Sequence, residues 1–120
     1  MFFNSSSFRT MEAGVSATWM QQQVHTHNLS NYDTPDYKSK SLIFSETLSR
    51  ARDENGKRRP LLNVRMIEND DTTIRPDGNN VDLEVESIGL YKAYVHYSML
   101  LEKIKSEFNN NSYVLTNAPK

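Results

Sequence analysis

The sequence predicts a mainly α fold in which long N- and C-terminal helices pair as an antiparallel hairpin or coiled coil around an irregular middle insert. Near both ends of the chain, apolar residues recur at three- and four-residue spacing without an intervening proline, and turn-forming residues concentrate between these segments. With 120 residues, 37% of them hydrophobic, and a mean hydropathy of -0.70, one domain has little apolar material for a closed core. We therefore expect an elongated subunit that completes its packing with neighbouring chains.

The first helix is predicted over residues 7–31. Serines at positions 5–7 offer N-cap hydroxyls, and Phe8, Met11, Val15 and Trp19 share one helical face. After Met20 the sequence turns polar, with three glutamines and two histidines. The helix should end before Pro35, since proline disfavours helical backbone in the residue before it.

The middle region, residues 32–80, is predicted to be irregular. Residues 46–52 could form a brief helix, residues 53–60 have loop composition, and residues 61–67 suggest a short strand. Residues 72–74 are the candidate partner for that strand, which would make a short β-hairpin. Five basic residues surround the loop, and because the net charge is -1 we interpret them as a solvated loop rather than a nucleic-acid or membrane contact: Arg50, Arg52, Lys57, Arg58 and Arg59.

The second long helix is predicted over residues 81–108, capped by Asn79 or Asn80, with a flexible tail over 109–120. Seven apolar residues follow the four-three alternation of a coiled-coil seam: Leu83, Leu90, Tyr94, Tyr97, Leu101, Ile104 and Phe108. A second apolar stripe accompanies the seam: Val81, Val85, Ile88, Val95 and Met99. Two stripes require more than one partner, so we expect some partners to come from other subunits.

Composition and spacing argue against catalysis, cofactors and metal binding. There is no cysteine, which excludes disulfides, thiolate metal sites and cysteine nucleophiles. His25 and His27 lie two residues apart, on nearly opposite faces of a helix, so they favour polar packing over a shared metal. His96 reads as an ordinary interfacial residue. The balanced charge predicts no nucleic-acid partner.

The sequence also predicts no direct membrane insertion. No stretch approaches the ~18 apolar residues that a membrane span requires. The N-terminus has neither a basic start nor an apolar core typical of a cleavable secretory signal. If the protein leaves the cytoplasm, we expect a route that does not read such a signal.

Two motifs carry a resemblance to a known family. The first follows the N-terminal helix and comprises Asn28, Leu29, Asn31, Thr34, Pro35, Tyr37 and Lys38. This stretch resembles the signature of flagellar rod, hook and related axial proteins, although Asp36 stands where the family has glycine. The second motif precedes the C-terminal helix and is similar to the helix entry of a proximal rod protein: Gly78, Asn79, Asn80, Val81 and Asp82.

The resemblance implies a single rod domain over 1–120 and a structural subunit of the flagellar basal body. Such a subunit polymerises in the periplasmic space into the drive shaft that carries torque from motor to hook, after type III export without a cleavable signal. The implied partners are copies of itself, the rod proteins FlgC, FlgF and FlgG, the adaptor FliE and the flagellar export gate. The two motifs and the seam, except its first member Leu83, are the predicted assembly residues, and Asn28 and Asn31 are expected to order the turn.

Two other classes stay open at this point. A soluble helical adaptor or export chaperone could use the same seam to bind a partner without joining the rod. A small enzyme would require a pocket with convergent polar groups, for which the sequence offers no motif.

Overall fold

The computed structural model describes residues 6–52, 56, 58–72 and 74–117 of the chain. Four elements follow one another: helix α1, Ser6–Ser30; strand β1, Lys40–Arg52; strand β2, Arg58–Glu68; and helix α2, Leu83–Asn117. The two terminal helices contact each other, and the strands form one antiparallel hairpin. The predicted mainly α fold with a small central β-hairpin is thus confirmed.

The molecule is long and thin. Its principal extents are 71 × 31 × 14 Å and its radius of gyration is 19.3 Å, whereas a compact domain of this length would have a radius of gyration of about 14 Å. The thinnest dimension accommodates little more than one layer of helix. The prediction of an elongated subunit is therefore confirmed.

The two helices run antiparallel. Near the end of α1, the His25 ring lies against Gly89 in the early part of α2, whereas Gly14 near the start of α1 lies against Leu100 further along α2. At Gly89, an ideal Cβ would lie 2.5 Å from the His25 ring, so the close approach of the helices there requires glycine.

The two strands lie beside α1 and pair from Lys40 with Glu68 to Leu48 with Pro60, and again at Arg52 with Arg58. Phe44 and Leu62 face a groove that residues of α1 and α2 also line. The hairpin thus packs against part of α1, and it extends away from the C-terminal end of that helix.

Two predictions for the middle region were wrong. Residues 46–52 belong to β1 rather than to a brief helix, and the partner of the predicted 61–67 strand is β1 rather than residues 72–74. Short segments of mixed propensity take the conformation that tertiary pairing stabilises, and β2 pairs with β1 over most of its length. Residue 73 lies outside the described residues, as do 53–55 and 57 of the predicted loop.

The helix ends also differ from the prediction. The first helix was predicted over 7–31 and is found at Ser6–Ser30, although Ser5, a predicted cap, lies outside the described residues. The second helix continues to Asn117 rather than ending at 108, because residues 109–117 contain asparagines but neither the proline nor the glycine that would stop a helix. Its cap is Asp82, whose Oδ1 accepts hydrogen bonds from the backbone N–H of Glu84 and Val85 at 3.0 and 3.3 Å. The side chains of Asn79 and Asn80, which were predicted to cap this helix, form hydrogen bonds to other backbone groups instead.

Candidate assembly site

The two sequence motifs meet in one place, which we call the junction: residues 28–40, where α1 ends and β1 begins, and residues 69–82, which lead into α2. Among the described residues, the parts of these segments between α1 and β1 and between β2 and α2 have no regular secondary structure. Their backbone polar groups therefore need side-chain partners where they are buried. Three buried asparagines supply most of them: Asn28, Asn79 and Asn80.

Asn28 fastens the end of α1 to the start of β1. Its Oδ1 accepts a hydrogen bond from the backbone N–H of Lys40 at 2.9 Å, and its Nδ2 donates to the Lys40 carbonyl at 2.8 Å. The same Oδ1 accepts a hydrogen bond from the Tyr37 hydroxyl at 2.9 Å. The side chain is fully buried, and it pairs with Lys40 as a neighbouring strand would.

Asn79 joins the turn after α1 to the entry of α2. Its Nδ2 lies 2.9, 2.9 and 2.8 Å from the carbonyl oxygens of Asn31, Tyr32 and Thr34. Its Oδ1 accepts a hydrogen bond from the backbone N–H of Val81 at 2.8 Å. One fully buried amide thus adds a second donor to three carbonyls of the turn after α1, each of which also accepts a hydrogen bond from elsewhere in the junction.

Asn80 connects the segment before β1 with the segment after β2. Its Oδ1 accepts from the backbone N–H of Ser39 at 2.6 Å, and its Nδ2 donates to the Asn69 carbonyl at 2.5 Å. Lys38 adds a hydrogen bond from Nζ to the Gly78 carbonyl at 2.5 Å. The motif residues therefore bind across the junction rather than along it.

The turn itself is held from within. Asn31 Nδ2 donates to the His27 carbonyl at 2.8 Å, and Asn31 Oδ1 accepts a hydrogen bond from the Thr34 hydroxyl at 3.0 Å. Leu29 is part-buried and Pro35 is exposed. Val81 is fully buried at the entry to α2.

Asp36 adopts a left-handed backbone conformation, which favours glycine. Its φ is 59°, and its N–H donates to the Asp77 carbonyl at 2.9 Å. Across from it, Gly78 has φ 85°, and an ideal Cβ there would come within 2.3 Å of Asp36 Oδ1. Asp36 thus preserves the turn, and Gly78 makes room for it.

Two histidines occupy polar environments on different sides of α1. The Tyr37 hydroxyl lies 2.9 Å from His27 Nδ1. Burial, with smaller contributions from the negative charges of Glu86 and Glu68, raises the pKa of Tyr37 above its ordinary value. His25 faces α2, where its Nδ1 donates to Glu86 Oε2 at 2.6 Å.

Sequence reasoning missed several residues of this region. The Arg75 guanidinium donates to the carbonyls of Val81 and Tyr32 and stacks 3.7 Å from the centre of the Tyr32 ring. Asn69 donates to the hydroxyls of Ser39 and Ser41. Arg75 lies close to the second motif in sequence, which could have indicated its contacts there. The contact of Glu86 could not have been identified in this way, because acidic residues are common in the first turns of helices.

The contact face between the helices contains small and polar side chains. On α1 the buried positions include Ala17 and Thr18, and on α2 they include Glu86 and Ala93. From the predicted seam, Leu90, Tyr97 and Ile104 are part-buried. The pair of helices therefore closes over rather little apolar volume.

The larger apolar side chains lie mostly outside. Four members of the predicted seam, Leu83, Tyr94, Leu101 and Phe108, are 44%, 57%, 41% and 49% exposed. From the second stripe, Val85, Ile88 and Met99 are exposed, and α1 adds Trp19. We call the exposed apolar residues of α2 the outer face: Leu83, Val85, Ile88, Tyr91, Tyr94, Met99, Leu101 and Phe108. Monomeric proteins rarely expose this much apolar surface on one element.

The described residues offer little for small-molecule chemistry. Among them, no three His, Asp or Glu side chains cluster closely enough to hold a metal ion. The larger of two open grooves, about 510 Å³, lies between the β-hairpin and the helices and is lined mainly by apolar groups. In the part of the chain that the structure describes, neither helix has an apolar stretch that could cross a membrane.

Known proteins similar to this chain share one description. A flagellar basal body rod protein FlgB of Bacillus subtilis (strain 168) is 29% identical over 126 residues, covering 93% of this chain and 95% of the relative. A protein of the same description from Buchnera aphidicola subsp. Acyrthosiphon pisum (strain APS) is 28% identical over 123 residues, covering 90% and 92%. No family model matches the chain. Both similarities span nearly the whole chain, including the two motifs that meet in the junction.

Proposed function

We propose that the chain is a member of the FlgB family of flagellar basal body rod proteins, that it is a structural subunit of the rod, and that it polymerises through the outer face of α2 into the shaft that carries torque to the hook. The family is structural rather than enzymatic, and its place is the basal body rod. The whole of 1–120 acts as one rod domain in this proposal.

One observation carries the proposal: several large apolar side chains of α2 are exposed in the isolated subunit. Leu101, Tyr94 and Phe108 are each more than 40% exposed, although they recur at the spacing of a coiled-coil seam. Covering such a row with helices of other subunits removes apolar surface from water and stabilises the assembly by about 25 cal/mol per Å².

The junction has a different role in the proposal. A shaft under torsion requires that the two helices of each subunit keep their relative position. The buried amides of Asn28, Asn79 and Asn80 cross-link four segments of backbone, and Thr34, Tyr37 and Lys38 extend the network. Because buried, satisfied polar networks permit few alternative arrangements, we infer that the junction holds each subunit rigid within the shaft.

The subunit assembles with other rod components, and the individual partners are proposals. We infer contacts with copies of itself, with the rod proteins FlgC, FlgF and FlgG, with the adaptor FliE and with the export gate. We also infer that the subunit reaches the periplasmic space through the flagellar export apparatus.

The outer face is tested by Leu101→Asp, with Lys92→Asp as the matched control on the same helix. Leu101→Asp places a carboxylate where a neighbouring helix would pack, so we expect loss of swimming and loss of the subunit from purified basal bodies. Both residues are exposed in the subunit, so each variant should keep its free energy of unfolding within about 1 kcal/mol.

The control changes the charge by more than the test variant does, and we expect it to swim. Export of both variants is checked by measuring their amount outside the cytoplasm in cells that lack a hook. Equal swimming of the two variants would contradict the outer face as the assembly surface. Loss of export in Leu101→Asp would instead favour a role before assembly.

A soluble helical adaptor or export chaperone is the alternative function. It would use the same exposed apolar face for a transient partner and stay in the cytosol. Fractionation decides between the two: a rod subunit is recovered with basal bodies, whereas a chaperone stays with the soluble fraction.

A further inference from the structure

We propose that the hydrogen-bonded pair of His25 and Glu86 selects which face of α2 lies against α1, and thereby keeps the outer face free. The proposal concerns the folded subunit alone. It depends on the proposed function only for the reason why a free outer face is useful.

Hydrophobic burial alone would select a different face of α2. The seam positions Leu90, Tyr94, Tyr97 and Leu101 form a continuous apolar row, yet Tyr94 and Leu101 are exposed. The inward positions include Glu86, Gly89 and Ala93 instead. Turning α2 about its own axis by less than the ~100° between successive residues would move Tyr94 and Leu101 toward α1. Some interaction must oppose that turn.

The buried pair opposes it through hydrogen bonding. The Glu86 side chain is 10% exposed and the His25 side chain 24%, with Nδ1 and Oε2 2.6 Å apart. Turning α2 would take the Glu86 carboxylate away from the imidazole and set an apolar part of the helix against His25. The imidazole N–H would then lose its acceptor while still facing α2, which is unfavourable for a part-buried donor.

Gly89 opposes the turn through shape. The His25 ring lies where any Cβ at position 89 would be 2.5 to 3.0 Å from its atoms. Gly89 is the only glycine in α2. At any other rotation of α2 about its own axis, a residue with a side chain would therefore face the His25 ring. The His25 ring therefore fits against Gly89 at one rotation of α2.

A polar pair of this kind serves specificity more than stability. Replacing a buried ionic or hydrogen-bonded pair with apolar residues is often neutral or stabilising, while the polar pair excludes alternative packings. We therefore expect the apolar double variant His25→Leu/Glu86→Leu to fold, and to bury the seam residues that the natural chain leaves outside.

Engineered cysteines measure the facing directly, because the chain contains no natural cysteine. Gly14 contacts Leu100, and Leu101 lies about 100° further around the helix. In the otherwise natural chain, the pair Gly14→Cys/Leu100→Cys should form an intramolecular disulfide, and Gly14→Cys/Leu101→Cys should not. In the His25→Leu/Glu86→Leu background, the 14–101 disulfide should form and the 14–100 disulfide should be lost.

Glu86→Gln is the matched control, because its amide oxygen can still accept the hydrogen bond from His25. We expect it to keep the 14–100 disulfide. Retention of the natural pattern in the double variant, a shifted pattern in Glu86→Gln, or loss of the helical circular dichroism signal in the double variant would each overturn the inference. Swimming by a double variant whose pattern has shifted would instead count against the proposed assembly surface.

Discussion

At the scale of single residues, an asparagine amide replaces regular secondary structure wherever the junction lacks it. A primary amide carries the donor and acceptor of a peptide group on a short side chain, so it can pair with backbone from the side. Asn28 does so with both polar groups of Lys40, and Asn79 does so with three carbonyls at once. Aspartate has nearly the same shape but no donor, so the two residues are not interchangeable here.

Asn79→Asp is therefore expected to destabilise the subunit by about 1–3 kcal/mol, since three carbonyls lose the amide donor and face a carboxylate, although each keeps a second hydrogen-bond donor. The Val81 N–H keeps its acceptor, so the loss reports on the carbonyl side of the network. The measurement is the urea midpoint of the circular dichroism signal for the purified subunit.

Asn110→Asp provides the comparison, because Asn110 is exposed on α2. We expect its urea midpoint to stay close to that of the natural chain, within about 0.5 kcal/mol. Two variants of equal stability would mean that the Asn79 amide adds nothing beyond its acceptor.

At the scale of elements, the sequence predicted what depends on local periodicity and missed what depends on tertiary partners. Both long helices follow from apolar spacing and the absence of proline. The strand conformation of residues 46–52 does not, because it is decided by pairing with β2. Likewise, the resemblance to the axial family marked the asparagines of the junction but not the carbonyls they reach, which lie up to 48 residues away in sequence.

The face of α2 that lies against α1 is another property that the spacing of apolar residues could not predict. The strongest apolar row of the helix pointed to Tyr94 and Leu101 as a seam, whereas the contact with α1 passes through Gly89 and Ala93. Small residues carry almost no signal in a periodicity analysis, yet they let two helix backbones approach closely.

Gly89→Ala follows from that contact. Alanine favours a helix by about 1 kcal/mol over glycine, but its Cβ would lie 2.5 Å from the His25 ring, and overpacking of this kind costs about 1–3 kcal/mol. We expect a net loss of stability, measured by thermal unfolding. Ser87→Ala, at an exposed position two residues earlier, should instead stabilise the helix by about 0.5 kcal/mol. A gain in both variants would show that the His25 ring moves aside at no cost.

At the scale of the whole molecule, many of the largest apolar side chains of the helices stay exposed. The buried residues of the helices include the polar Thr18 and Glu86 beside the apolar Met11 and Val24, whereas Trp19, Tyr94, Met99 and Phe108 are exposed. An elongated body 71 Å long and 14 Å thick has a large surface for its volume, so it cannot bury these groups by itself. We therefore expect a large part of the apolar surface of the subunit to be buried only on assembly with neighbouring subunits.

Trp19 allows the burial of α1 on assembly to be tested, because its side chain is 53% exposed and the chain contains no natural cysteine. Covering both helices with neighbouring subunits should bury position 19 as well as the outer face of α2. In a Trp19→Cys variant that still swims, the lone thiol should react quickly with a maleimide in the free subunit and several-fold more slowly in isolated basal bodies. The same basal bodies after dissociation provide the control, in which the fast reaction should return. Equal rates in the free and assembled states would show that α1 faces solvent in the rod, and would restrict the assembly surface to α2.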